Sequence, residues 1–237
     1  MITVKDLSHQ YGNTNALKNI SFHINPGEII GLIGPNGAGK STLMSLLTGI
    51  IGIQNGHCQI KGKSIKTHRQ SLQTQIGYLS ETNPLYSQLS VQEFLLFIAQ
   101  ARQLHHKQIP SAIKTSMQRC HLEEKANHPI HTLSKGYQQR VGIAQAIIHQ
   151  PEILILDEPM NGLDPKQMRQ IRSLITELQA SCTIIISSHI LSEIEELCPR
   201  LLILNKATLL ADMATKELKK NNHHLESAFL SLIEGTL

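Results

Sequence analysis

No apolar run in this 237-residue chain approaches the roughly 18 residues of a membrane span. Any membrane role is therefore expected to come through a partner. The N-terminus, Met1-Ile2-Thr3-Val4-Lys5-Asp6, reads as a strand rather than a signal peptide. Cysteine is scarce. Cys58, Cys120, Cys182 and Cys198 are scattered, with neither a disulfide framework nor zinc spacing, which suits a reducing cytosol. Charge of one sign is lacking too. The net charge is only +4 and the basic residues are spread out, so no nucleic-acid partner is expected. Histidine is not scarce, at 13 residues, but no H-E-x-x-H or C-x-x-C gathers it. His105-His106 and His223-His224 lie in polar stretches and are not expected to bind metal. There are no repeats, low-complexity segments or linkers. What remains is an ordinary globular composition, 41% hydrophobic, long enough to bury a substantial core in one or two domains.

Against that plain background one stretch stands out: Gly34-Pro35-Asn36-Gly37-Ala38-Gly39-Lys40-Ser41-Thr42. It fits the phosphate-loop pattern G-x-x-x-x-G-K-[ST] at every fixed position. A short apolar run, Glu28 to Ile33, precedes it as a buried strand should. Helix-compatible residues follow, from Ser41 to Thr48, and stop at Gly49. Strand, glycine loop and helix are the context the motif needs. The glycines let successive N–H groups turn inward toward phosphate oxygens, and the helix start adds partial positive charge. Lys40 is expected to reach the β- and γ-phosphates, and Ser41 to ligate Mg²⁺.

Strands are expected at Ile2–Leu7, Ile20–Ile24 and Ile76–Leu79, with a hairpin through Gln59-Ile60 and Ile65. Ser90-Val91-Gln92-Glu93 is a capping box, and apolar residues follow at helical spacing. Pro110–Cys120 and Ser134–His149 read as further helices. Residues 84–150 thus form a helical insert within an α/β chain. Strand signals return at Ile153–Leu156, Thr183–Ile186 and Leu201–Leu204, with a helix over Lys166–Leu178. Alternating strands and helices predict right-handed crossovers and a parallel sheet. Beyond Thr215 the chain is a short helix-prone extension.

The run Ile153-Leu154-Ile155-Leu156 ends in Asp157-Glu158-Pro159. Ligands gather at the carboxyl ends of parallel strands, so Asp157 is placed to hold Mg²⁺ through water. Glu158 can face the γ-phosphate and take a proton from an attacking water. Thr183–Ile186 likewise ends in Ser187-Ser188-His189, and His189 can orient that water or contact the phosphate. By itself each feature also fits a solvated strand end or a structural histidine.

Together these residues resemble the ATP-binding subunit of an ABC transporter, over essentially the whole chain. The phosphate loop alone leaves kinases, GTPases and AAA ATPases open. The family's own mark is the signature L-S-G-G-Q before a helix, and Leu133-Ser134-Lys135-Gly136-Tyr137 stands in its place, ahead of Asp157 at the family's spacing. The resemblance implies an α/β P-loop NTPase (RecA-like) core with a mixed sheet. It implies one ABC ATPase domain over 1–237, with 1–83 and 151–237 as core and 84–150 as helical subdomain. It implies that Ser134 and Gly136 face outward and contact the γ-phosphate held by an opposite subunit. Tyr11 matches the aromatic residue that stacks on adenine. Asn161-Gly162-Leu163-Asp164 matches the loop that crosses the dimer interface, and His189 matches the switch histidine.

Three places depart from the family pattern. Glu81 replaces a glutamine, as in bacterial exporter subunits of the drug, lipid and gliding-associated type, and its carboxylate can still ligate Mg²⁺. Lys135 and Tyr137 replace a signature glycine and glutamine. Met160 replaces a threonine. The implied partners are an integral-membrane permease and a second copy of the chain or a homologous subunit. The implied cofactors are ATP and Mg²⁺. The implied location is the cytoplasmic face of the cell membrane, peripheral through the permease, the subunit being soluble when isolated. Two other readings compete: a soluble ABC-class ATPase, and a non-hydrolytic regulatory module. Neither a second cassette nor a long coiled-coil insertion is present to favour the first, and the intact Lys40, Asp157, Glu158 and His189 argue against the second.

Overall fold

The computed structural model describes residues 1–218 and 225–234; His223 and His224, and part of the extension expected beyond Thr215, lie outside them. The elements run β1 (Ile2–Tyr11), β2 (Thr14–Ile24), β3 (Ile29–Ile33), α1 (Lys40–Leu47), β4 (Asn55–Ile60), β5 (Lys63–Ser64) and α2 (Ile65–Gln73). Then come β6 (Ile76–Leu79), α3 (Val91–Ala101), α4 (Ile109–Arg119), α5 (Lys135–Ile147), β7 (Ile153–Asp157) and α6 (Pro165–Gln179). The chain ends with β8 (Thr183–Ser188), α7 (Leu191–Glu195), β9 (Arg200–Asn205), β10 (Thr208–Ala214), α8 (Thr215–Leu218) and α9 (Leu225–Glu234). Among the described residues no helix is long and apolar enough to cross a membrane.

The chain divides into two compact units, residues 1–73 with 183–237, and residues 74–182. The first carries an antiparallel sheet in the order β2-β1-β4-β5, and β10-β9-β3-β8 side by side. Strand β3 pairs parallel with both β8 and β9, while β10 is antiparallel to β9, so the sheet is mixed. The pairing of β3 is wholly buried, as its uninterrupted Ile29-Ile30-Gly31-Leu32-Ile33 requires. Arg200 ties three pieces of this unit together. It donates to both carboxylate oxygens of Asp212, at 2.7 and 2.8 Å, and to Glu28 at 2.9 Å.

In the second unit β6 and β7 pair in parallel, α3, α4 and α5 pack on one another, α5 also packs on β6, and Leu95, Ile143, Leu154, Leu156 and Ile175 are buried. The capping box forms as expected. Ser90 Oγ accepts from Glu93 N–H, and the Glu93 carboxylate accepts from Ser90 N–H at 2.8 Å. Such a cap is worth about 1 kcal/mol of helix stability.

Two expectations need correction. Ile65 does not extend a hairpin. Strand β5 stops at Ser64, and Ile65 opens α2, which kinks at His68. Its two buried residues, Ile65 and Leu72, lie two helical turns apart, too thin a pattern to read. Strand β10 was not expected at all. It joins β9 through Lys206-Ala207, both in the left-handed region at φ 44 and 67, a hairpin turn that usually announces itself with Asn-Gly.

Candidate functional site

In the first unit, parallel pairing sets Ile33 level with Ser188 on one side and with Ile203 on the other. The next residue after β3 is Gly34 and the next after β8 is His189. The phosphate loop and the histidine therefore leave the sheet side by side at the carboxyl edge. Gly34 must be glycine, because a Cβ there would collide with the carbonyl oxygen of Leu204. Gly39 must be glycine twice over. Its φ is 109, and a Cβ would collide with the carbonyl oxygen of Ala16.

Between these fixed points the loop curls. Ala38 N–H donates to Pro35 O at 3.1 Å. The buried Lys40 ammonium donates to the carbonyls of Gly34 at 2.7 Å and Pro35 at 3.3 Å. Pro35, Asn36, Gly37 and Ser41 are exposed, Thr42 is half-buried and Ala38 is buried. Gly39 caps α1 without a side-chain bond, and first-turn N–H groups have no acceptor within their own helix. The result is a positive, amide-lined turn suited to an anion.

Tyr11 ends β1, on the same hairpin whose Ala16 abuts Gly39. The residue is 54% exposed, so much of it is open to solvent. Two contacts steady it. The buried His9 meets it edge-to-face with ring centroids 4.8 Å apart. Beside it, the Gln54 amide accepts from Gln10 N–H at 2.8 Å and donates to Gln10 O at 3.1 Å. Nothing in the sequence marked His9 or Gln54. His189 is exposed beside the loop.

In the second unit the register sets Leu79 beside Leu156, so Glu81 and the pair Asp157-Glu158 leave the same edge. Tyr78, on β6, feels both acids. Burial first, then the charges of Asp157 and Glu81, push its phenol up to about 12. Asp157 and Glu158 are buried, and Glu81 is exposed. Glu158 has φ 50, a conformation that carries of order 1–3 kcal/mol of strain and concentrates at functional positions. Asp164 caps α6, its Oδ1 accepting from Lys166 and Gln167 N–H at 2.9 Å each.

The signature turn also lies in this unit. Ser134 is exposed and starts α5 without a side-chain cap bond. Gly136 differs from expectation. It does not face outward but is buried beneath Gln167, which a Cβ would strike at 2.8 Å. Gln167 had no sequence signal, since it sits mid-motif in an ordinary amphipathic helix. Among the described residues no group of three or more His, Cys, Asp and Glu could hold a metal alone. Ser41 in the first unit, and Asp157 and Glu81 in the second, each carry an oxygen of the hard kind that Mg²⁺ takes, an ion that keeps water and phosphate in its shell and needs few protein ligands.

The family described as ABC transporter matches residues 17–161. The bacitracin transport ATP-binding protein BcrA of Bacillus licheniformis is 36% identical over 224 residues, covering 94% of this chain and 72% of that one. A solved ATP-binding subunit of an ABC transporter superposes with a TM-score of 0.86 at 29% identity, covering 98% of this chain and 99% of that one. cbiO1 from Clostridium perfringens, part of the ABC transporter complex cbiONQ, superposes with a TM-score of 0.83 at 30% identity, covering 97% of each chain. This chain belongs to the ABC transporter family, as one of its ATP-binding ATPase subunits.

Proposed function

We propose that this subunit works as half of a two-fold pair, closes around two ATP molecules and powers a separate integral-membrane permease in export. One observation carries the reading. The chain has one phosphate loop and one signature turn, and Ser134 sits exposed at an uncapped helix start that is suited to a phosphate. A second copy or a homologous subunit supplies what each half lacks.

In this scheme the amides of residues 34–42 and Lys40 hold the β- and γ-phosphates, and Tyr11 stacks on adenine. Ser134 and the backbone at Gly136 approach the γ-phosphate of the opposite subunit. Glu158 takes the proton of the attacking water, and His189 orients that water. Ser41, Asp157 and Glu81 offer the oxygens for Mg²⁺, which would neutralise phosphate charge.

The permease would meet the second unit near Glu81. In the same unit Tyr86 and Phe97 are exposed at 54% and 42%, and Tyr86 packs edge-to-face on Phe97 at 5.0 Å. Clustered exposed aromatics suit a protein partner. Export is supported by Glu81 in place of glutamine and by the likeness to a bacitracin transport protein.

The test is Glu158→Gln in the purified chain. ATP binding should persist while phosphate release falls by about 10²-fold or more. A variant that hydrolyses ATP at the parent rate removes Glu158 from its role. A parent that binds ATP but never releases phosphate, even with its permease, leaves the regulatory-module reading instead.

A further inference from the structure

Lys135 stands where the resembled family has a signature glycine, and its side chain has a definite place. The loop from Met160 to Leu163 carries the chain from Glu158 to α6. Two backbone bonds shape it. Asn161 N–H donates to Glu158 O and Leu163 N–H donates to Met160 O, each at 3.2 Å. Asp164 closes it as the cap of α6. Gly162, between these supports, is exposed at φ 69 and has no side chain to anchor. The end of Lys135 lies over it, so close that a Cβ on Gly162 would collide with the Lys135 ammonium.

This contact is the first of three along one side of α5. Gln167 covers Gly136, and Arg140 donates to the Gln170 side-chain oxygen at 2.7 Å. The rung that meets the chain nearest to Glu158 in sequence is the one from Lys135, at Gly162. Tyr137 is held behind them by two cations, with Lys125 and Arg140 at 5.6 and 5.4 Å from its ring centre. The first turn of α5 is thereby braced against the start of α6 and the loop before it.

We infer that Lys135 is a positioning residue for Glu158, acting through Gly162. The inference rests on the proposed role of Glu158. Glu158 sits at φ 50, which a loop not held in place would relax. A glycine at 135 cannot supply the missing support, whereas a long cationic stem can lie across Gly162 while its charge stays in water. The first turn of α5 and the loop after Glu158 then move as one piece.

The test compares the parent, Lys135→Ala, Lys135→Arg and Glu158→Gln as full chains. Lys135 is exposed, so thermal melting should be unchanged and exclude misfolding. Lys135→Ala should lower kcat for ATP about tenfold, within the ~10²-fold cost of a ~1 Å misplacement, and leave KM unchanged. Lys135→Arg should restore most of the rate. Glu158→Gln/Lys135→Ala should still dimerise on Mg-ATP as fully as Glu158→Gln. An unchanged kcat in Lys135→Ala, beside an inactive Glu158→Gln, overturns the inference alone. So does a raised KM at unchanged kcat. Loss of the ATP-dependent dimer also overturns it, because Lys135 would then be a direct phosphate ligand. Normal turnover by Glu158→Gln overturns the role of Glu158 itself, and this inference with it.

Discussion

The phosphate loop and the signature turn are both helix starts with glycines and no side-chain cap, and they are finished in opposite ways. In the first, the chain folds back on itself. Lys40 is buried and bonded to the loop's own carbonyls, and Gly34 and Gly39 are pinned against Leu204 and Ala16. In the second, Ser134 faces solvent and the support comes from behind, through Gln167 and Lys135. The first is a preformed cradle. The second is an exposed edge, braced from behind. Affinity for nucleotide should therefore reside in the first, and pairing of subunits in the second.

Lys40→Ala should break the comparison most severely. It removes a charge from the cradle, and ATP affinity should fall by about 10- to 100-fold, the worth of a charge-assisted hydrogen bond. Titration with a fluorescent ATP analogue measures it. Unchanged affinity would mean that the loop amides suffice and the lysine serves only to shape the loop.

A smaller loss is expected at the rim. Tyr11→Ala should weaken ATP binding by about 2- to 12-fold, from the 0.5–1.5 kcal/mol typical of an aromatic contact. Tyr11→Phe should keep the affinity, since the exposed face and not the hydroxyl is used. Equal loss in both variants would refute stacking.

The smallest effect on the isolated chain belongs to Glu81→Gln. ATP binding should remain largely intact, because glutamine keeps a side-chain oxygen at the same place. Stimulation of hydrolysis by the permease should change. If basal and stimulated rates both match the parent, the charge plays no part in coupling.

The phosphate loop was legible because a dense local pattern fixes its own geometry. Strand β3, the loop and α1 follow from one contiguous stretch. The register that places His189 beside Gly34 was legible in kind, since apolar strands ending in polar residues gather at one edge. Strand β10 was not legible, because its turn uses Lys206-Ala207 at positive φ without glycine. Nor was the strain at Glu158, which has no mark in residue type. The signature turn showed its limit most clearly. Its position came from resemblance, but the burial of Gly136 under Gln167 and the reach of Lys135 to Gly162 depend on α6 and the loop before it, which lie some way along the chain. Tertiary neighbours of this kind leave no local trace.

The central claim is that the exposed edge at Ser134 closes a site on another subunit. Gly136 is a poor probe of it, since any side chain there would strike Gln167 and disturb the packing of α5. Ser134 is exposed, and Ser134→Glu sets a carboxylate against the incoming phosphate without touching the core. The decisive measurement is sedimentation of Glu158→Gln with and without Mg-ATP, beside Glu158→Gln/Ser134→Glu. The account predicts a monomer without nucleotide, a dimer with it, and no dimer in the double variant although ATP still binds. A double variant that dimerises on Mg-ATP as fully as Glu158→Gln would contradict it.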